Sequence, residues 1–154
     1  MQRMTKRKLG EVLVQERLVT KEQVEEALAD QSVTGELLGE ILVRKGYVAE
    51  RNIAETVATQ YSFPYLEPDQ YYISGDIIHL LPMEIIEKHA VVPLDRFGDI
   101  LTVVVAGPLD EEVIKEIEQT TGCRVHIFVS TVSAVKKTVD TLKEGQRRAA
   151  VRRE

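Results

Sequence analysis

The sequence is poor in the residues that build disulfide, metal and phosphate-binding sites. Cys123 is the only cysteine in 154 residues, which excludes an internal disulfide and any cysteine-based metal cluster. The three histidines, His79, His89 and His126, lie far apart without a carboxylate at ligand spacing, so no metal site is predicted. No glycine precedes a lysine, which excludes a GxxxxGK[ST] phosphate loop. Because no serine has a nucleophile-elbow context either, we predict that the chain is not an enzyme.

Long apolar runs and a strong excess of positive charge are also missing. No stretch is apolar enough to span a bilayer, and the basic start MQRMTKRK does not lead into the apolar segment of a secretory signal, so we expect a cytoplasmic protein. The net charge of −5 and the absence of tryptophan argue against a nucleic-acid-binding surface, so neither DNA nor RNA is a predicted partner. Hydrophobic residues make up 44% of the chain, enough for the core of one domain or two small ones.

What the chain does contain is an internal repeat. Residues 8–31 read KLGEVLVQERLVTKEQVEEALADQ, and residues 37–60 read LLGEILVRKGYVAERNIAETVATQ. At a shift of 29 positions and without a gap, nine of the 24 aligned residues are identical. A repeat of this kind marks one supersecondary unit that is used twice, and two such units commonly pack around a shared core.

Each copy of the repeat is predicted to contain two helices. Apolar residues at helical spacing predict helices from residue 9 to a break at 17–19, and over about 21–32, 36–45 and 49–60. Thr20 and Gln23 form a capping box at the start of the second helix. Gly46 is placed to end the third helix in the left-handed conformation. We therefore predict an N-terminal four-helix bundle of two helical hairpins over residues 1–61.

The rest of the chain reads as a small α/β subdomain. An ordered connector rich in proline and tyrosine spans 62–76, and residues 77–142 begin with two short helical turns. Strands at 90–94, 100–106 and 124–129, with helices over 110–120 and from about 131, give the order β-β-α-β-α and a small mixed sheet with helices on one side. Residues 143–154 are basic and are interpreted as a tail or linker stub. The predicted fold class is α+β.

The repeat allows two interpretations from its residues alone. The Leu-Gly pair near the start of each copy removes a side chain where a planar group can approach the backbone, and the final Gln offers donors and an acceptor to a base edge. Two such units suit a ligand with two equivalent halves. A plain two-hairpin bundle explains the same pattern by tight helix packing around glycine and a hydrogen-bonded Gln.

The doubled motif resembles that of a known family. The pattern RLGxx[LVI][LVI]xxG[LVI][LVI]xxxxLxxxLxxQ, repeated after a five-residue spacer (here residues 32–36), is similar to that of the MshEN or GSPII_E N-terminal domain of type II secretion and type IV pilus assembly ATPases. The resemblance covers nearly the whole chain and implies cyclic di-GMP as the ligand, with no further cofactor. It implies a first half-site of Lys8, Leu9, Gly10, Val24, Leu28 and Gln31, and a second of Leu37, Leu38, Gly39, Ile53, Val57 and Gln60.

The chain departs from the family pattern at several informative positions. The Arg that opens each motif is Lys8 in the first copy and Leu37 in the second. Lysine lacks the planar fork with which arginine addresses a guanine edge through two hydrogen bonds. The mid-motif Gly is Arg17 in the first copy and Gly46 in the second, and the Asp that often precedes the proline of the second subdomain is Gly107.

The resemblance implies one of two functions. The first is a non-catalytic regulatory module that binds cyclic di-GMP in a type II secretion or type IV pilus system. The alternative is a protein-interaction module that docks to the cytoplasmic part of an inner-membrane secretion or pilus component without binding nucleotide. The implied partners are secretion or pilus assembly proteins at the inner membrane and an ATPase core, in cis or in trans. The implied location is the cytoplasm, peripheral to the inner membrane through those partners.

Overall fold

The computed structural model describes residues 9–66, 73 and 76–152, with side chains up to residue 145. Lys8 and residues 67–72, 74 and 75 of the predicted connector lie outside the described residues. The elements of the described chain are α1 (Leu9–Gln15), α2 (Lys21–Thr34), α3 (Leu38–Arg44), α4 (Glu50–Tyr61), α5 (Met83–His89), β1 (Val91–Phe97), β2 (Ile100–Val105), α6 (Glu111–Thr121), β3 (Arg124–Val129) and α7 (Val132–Arg152). The fold class is α+β, as predicted.

The four N-terminal helices interlock across the two copies of the repeat. The predicted capping box is confirmed: the Gln23 N–H donates to Thr20 Oγ1 at 3.1 Å, and the Thr20 N–H donates to Gln23 Oε1 at 2.9 Å. Helix α1 packs chiefly against α4, and α3 packs chiefly against α2. The first helix of each copy is thus held mainly by the second helix of the other copy. Their shared core includes Leu13, Ile41 and Leu42, all fully buried.

The turn that ends the first helix of each copy has the same backbone conformation. Arg17 has φ 59° and Gly46, its equivalent 29 positions later, has φ 76°. In both turns the next N–H reaches back five residues, from Leu18 to the Leu13 carbonyl and from Tyr47 to the Leu42 carbonyl, each at 3.0 Å. Because the left-handed conformation crowds a Cβ atom, arginine carries a backbone strain here that glycine does not.

We expect Arg17→Gly to raise the free energy of unfolding by about 0.5–1 kcal/mol, because glycine adopts this φ without strain. The measurement is urea unfolding followed by circular dichroism. Gly46→Ala is the matched control and should lower stability by about 1 kcal/mol. A Cβ at Gly46 would meet nothing within 4 Å, so its cost is backbone strain alone. Equal stability of wild type and Arg17→Gly would contradict the prediction.

The α/β subdomain has the predicted element order and a mixed three-stranded sheet. Strand β1 pairs antiparallel with β2, and β3 pairs parallel with β2, in the order β1-β2-β3. Strand β1 runs to Phe97, three residues past its predicted end, because the hairpin turn needs only Gly98, at φ 59°, and Asp99. The described part of the connector pairs with this sheet. Tyr65 forms a parallel bridge with Val129 at the outer edge of β3.

The predicted tail does not form a separate segment. Helix α7 continues without a break through residue 143 to Arg152. Its buried stripe, Val135, Val139 and Leu142, ties the first half of the helix to the core. The Lys, Glu, Gln, Arg and Ala residues that follow have high helix propensity, which explains the extension. Among the described helices, none has the length and apolarity needed to cross a bilayer.

Helix α7 also joins the two subdomains. It packs against α3 and α4 of the repeats and against α5, β1 and β2 of the α/β subdomain. Lys136 Nζ lies 2.8 Å from Glu40 Oε2, and Ser133 donates to the Glu50 carboxylate from both its N–H and its hydroxyl. Polar contacts near the start of α7 therefore connect the helical repeats to the α/β subdomain.

Candidate ligand-binding site

A cavity of about 620 Å³ lies between the helical repeats and the α/β subdomain. Its volume falls in the range of about 300–1,000 Å³ that is typical of small-molecule sites. One wall comes from α1 to α4, and the other comes from the end of α5, the loop after β2 and the start of α7. A ligand here would touch both subdomains at once.

Most of the predicted ligand residues meet in this cavity. The nine that line it are Leu9, Gly10, Val24, Leu28, Gln31, Leu37, Leu38, Gly39 and Ile53. Three pairs of equivalent residues from the two copies lie in it together: Leu9 with Leu38, Gly10 with Gly39 and Val24 with Ile53. Lys8 directly precedes Leu9 in the sequence but lies outside the described residues.

The two Leu-Gly pairs cross over each other in the cavity wall. A Cβ added at Gly10 would lie 2.7 Å from Val24 Cγ1 and 3.5 Å from Leu38 Cδ2. A Cβ added at Gly39 would lie 3.6 Å from Leu9 Cδ2 and 3.7 Å from Ile53 Cδ1. Each glycine therefore sits beneath the leucine of the other copy. This packing favours close helix contact as the role of Gly10, because Val24 already fills the space above it.

The second helix of the second copy has different surroundings from the second helix of the first copy. Leu28 is 45% exposed and lines the cavity, whereas its equivalent Val57 is fully buried in the core and does not. Gln31 Nε2 donates to the Glu36 carbonyl at 3.1 Å beside the cavity, while Gln60 Nε2 donates to Glu16 Oε1 at 2.6 Å in a separate depression. Helix α4 packs against β3 and α7, which covers the face that its counterpart α2 leaves open.

The wall from the α/β subdomain contains lining residues that the sequence reasoning did not include. These are His89, Ala90, Ala106, Gly107, Pro108, Leu109, Asp110 and Val132. The loop 106–110 leaves the carboxyl end of β2, where ligand crevices commonly open in α/β sheets. The Gly107-Pro108 turn at that strand end was the available signal. Gly107 faces the repeat closely, since a Cβ there would lie 3.9 Å from Leu9 Cδ2.

The described wall of the cavity carries an excess of negative charge. Glu11, Glu50 and Asp110 contribute carboxylates, and His89 contributes an imidazole. Among the described lining residues there is no lysine or arginine. Glu50 differs from the other two acids in having two hydrogen bonds from Ser133, at 3.2 Å from N and 2.6 Å from Oγ.

A polar brace behind the cavity fixes α3 against α2. Lys45 Nζ lies 3.1 Å from Glu26 Oε1 and 3.0 Å from Asp30 Oδ2, and the Tyr47 hydroxyl donates to Glu26 Oε2. The Tyr47 hydroxyl, followed by Lys45, lowers the pKa of the Glu26 carboxyl below its ordinary value. Asp30, followed by Glu26, raises the pKa of the Lys45 ammonium. The brace therefore links α2 of the first copy to the turn that follows α3 of the second.

The fold of this chain is also found in solved structures of other proteins. Two solved structures share it: "MshE with cdg" has a TM-score of 0.64 and 24% identity, and covers 89% of this chain and 99% of its own. The N-terminal domain of XpsE has a TM-score of 0.68 and 22% identity, and covers 91% and 96%. At these identities the likeness establishes the fold alone.

The family is established by a sequence match. The MshEN domain model matches residues 61–149, which is more than half of the chain, and the chain belongs to that family. The match covers the α/β subdomain, whereas the doubled motif that predicted the same family precedes it. The chain is also 29% identical over 133 residues to the type IV pilus assembly ATPase PilB of Myxococcus xanthus. It spans 24% of the length of that relative.

Proposed function

We propose that this domain is a non-catalytic regulatory module that binds cyclic di-GMP in the cavity between its two subdomains. The observation that carries the proposal is the convergence of both copies of the motif on one cavity of ligand size. The neighbouring structure of MshE with cdg, which is cyclic di-GMP, supports the choice of ligand.

The cavity wall suits a ligand with flat bases and a polar backbone. The side chains of Leu9, Leu28, Leu38 and Ile53 offer apolar surface on which a base or ribose can pack. Gln31 also lines the cavity, and its amide has a second N–H and an oxygen beside the bond to the Glu36 carbonyl with which it can pair with a base edge. The site has few polar groups on a largely apolar wall, which is the usual composition of a small-molecule site.

The phosphates of the ligand require positive charge, and the sequence supplies it before α1. Arg3, Lys6, Arg7 and Lys8 precede Leu9, which itself lines the cavity. We propose that Lys8 takes the part of the arginine that opens the family motif. Leu37, its counterpart in the second copy, lines the cavity and contributes apolar contact in place of a charge.

One observation favours a second function. The described wall of the cavity carries three carboxylates and no lysine or arginine, which disfavours an anionic ligand. The second function is a docking module for the cytoplasmic part of an inner-membrane secretion or pilus component, independent of nucleotide. Under either function we propose a cytoplasmic domain that works with an ATPase core, in cis or in trans, and reaches the inner membrane through its partners.

Isothermal titration separates the two functions. We expect cyclic di-GMP to give saturable heat at tens of micromolar protein, with a Kd of about 10 µM or lower, which is roughly −7 kcal/mol. Cyclic di-AMP is the matched control ligand, because it carries the same backbone charges with different base edges, and we expect no saturable heat from it. Absence of heat with cyclic di-GMP, while a known receptor responds in the same buffer, would exclude the proposed function and favour the docking module.

A further inference from the structure

Glu50 is the acid of the cavity wall that both lines the ligand space and binds the other subdomain. Its side chain borders the cavity, and its carboxylate accepts hydrogen bonds from Ser133 N at 3.2 Å and Ser133 Oγ at 2.6 Å. Ser133 lies in the first turn of α7, and the preceding Val132 also lines the cavity. The pair therefore spans the rim where the two subdomains meet.

The position of Glu50 is suited to holding its negative charge away from the ligand. Glu50 is in the first turn of α4, and its carboxylate is bound at the first turn of α7, a helix of 21 residues. Helix N-termini carry a partial positive charge of about half an elementary charge, which attracts carboxylates. The Glu50 carboxylate therefore lies near the N-termini of α4 and α7 and accepts two hydrogen bonds from Ser133.

We infer that Ser133 is a positioning residue of the cavity, which keeps the Glu50 carboxylate turned toward α7 so that an anionic ligand does not face it. The inference rests on the proposed function, because it needs a ligand with phosphate charge. Cyclic di-GMP carries two phosphodiester groups, and a carboxylate freed at the rim would repel them. In a fold whose described cavity wall has acids but no lysine or arginine, holding one acid away matters to affinity.

The Glu50→Gln variant separates a positioning role of Ser133 from a role in merely holding α7 in place. Ser133→Ala removes the hydroxyl donor at 2.6 Å and leaves only the backbone N–H at 3.2 Å to hold the Glu50 carboxylate. We expect binding of cyclic di-GMP to weaken by up to about fivefold at low salt, the size of one charge–charge repulsion at short range in water. The loss should shrink in high salt, because screening weakens repulsion between exposed charges. Glu50→Gln removes the charge and should not weaken binding. The double variant Glu50→Gln with Ser133→Ala should bind like Glu50→Gln.

Lys136→Met is the matched control for loss of a contact between the subdomains. Lys136 is on the same helix and binds Glu40 at 2.8 Å, and Glu40 is not among the residues that line the cavity. This variant removes an ion pair of α7 without releasing a charge into the ligand space. We expect its affinity to stay within about twofold of wild type, because exposed ion pairs contribute little.

The experiment is calorimetric titration of cyclic di-GMP into wild type and the four variants at low and high salt, with circular dichroism to confirm folding. Rescue of Ser133→Ala by Glu50→Gln is the expected result. Wild-type affinity in Ser133→Ala, or a double variant as weak as Ser133→Ala, would overturn the positioning role while leaving the proposed function standing. A wild-type protein that binds no cyclic di-GMP would overturn the proposed function and the positioning role together.

Discussion

Gly10→Ala is expected to lower the free energy of unfolding by about 1–2 kcal/mol. A Cβ at this position would lie 2.7 Å from Val24 Cγ1, closer than side chains approach one another. Val24 cannot easily turn away, because a β-branched side chain in a helix strongly prefers one rotamer. Overpacking of this kind costs about 1–3 kcal/mol, and the better helix propensity of alanine offsets at most about 1 kcal/mol of it.

Gly39→Ala is the matched control, because Gly39 holds the same place in the second copy of the repeat. A Cβ there would meet Leu9 and Ile53 at 3.6 and 3.7 Å, which is ordinary van der Waals contact. We expect no loss of stability and a gain of up to about 1 kcal/mol from helix propensity. Urea unfolding of both variants measures the difference. Equal effects of the two substitutions would mean that the Gly10 contact does not control the packing of α1 on α2.

The fold could be read from the sequence wherever local patterns and tertiary packing agree. Thr20 and Gln23 form the predicted capping box, and β3 has the predicted bounds Arg124–Val129. The end of α7 was missed because charged residues after 143 are equally compatible with a solvated tail and a helix, and helix propensity decided. The length of β1 was missed because a two-residue turn leaves more of the hairpin to the strands.

The sequence predicted most of the residues of one cavity wall, which comes from the repeats, but not those of the opposite wall. The family resemblance implies that Leu9, Leu28 and Gln31 belong to one half-site, and all three line the cavity. The repeat cannot show that α4 turns Val57 into the core against the other subdomain, because a sequence repeat implies equal environments. The opposite wall, with Gly107 and Asp110, lies outside the repeat, and tertiary packing of the repeats on β3 and α7 brings it to the cavity.

Leu28 and its repeat equivalent Val57 differ in burial, so a substitution at Leu28 can change ligand affinity with little effect on stability. In many ligand sites an apolar wall residue also belongs to the core, so that its substitution changes both properties. Leu28 is 45% exposed, whereas its repeat equivalent is fully buried. Under the proposed function, the open copy of the repeat therefore offers a position at which ligand affinity can be changed while the fold is kept, and the covered copy does not.

Leu28→Asp is accordingly expected to weaken cyclic di-GMP binding by at least about thirtyfold, corresponding to roughly 2 kcal/mol. The substitution removes apolar contact from the cavity wall and adds a carboxylate that repels the phosphates of the ligand. Because the side chain is half exposed, we expect the free energy of unfolding to change by less than about 1 kcal/mol. Calorimetric titration measures the affinity, and urea unfolding measures the stability.

Val33→Asp is the matched control for this prediction, because it introduces the same charge on the same helix. Val33 is 86% exposed and is not among the residues that line the cavity. We expect its affinity for cyclic di-GMP to equal that of wild type, since its carboxylate would lie in solvent away from the ligand. If Leu28→Asp bound as tightly as Val33→Asp, the cavity between the two subdomains would not be the binding site. If both variants lost affinity equally, the effect would come from the net charge of the domain rather than from contact with Leu28.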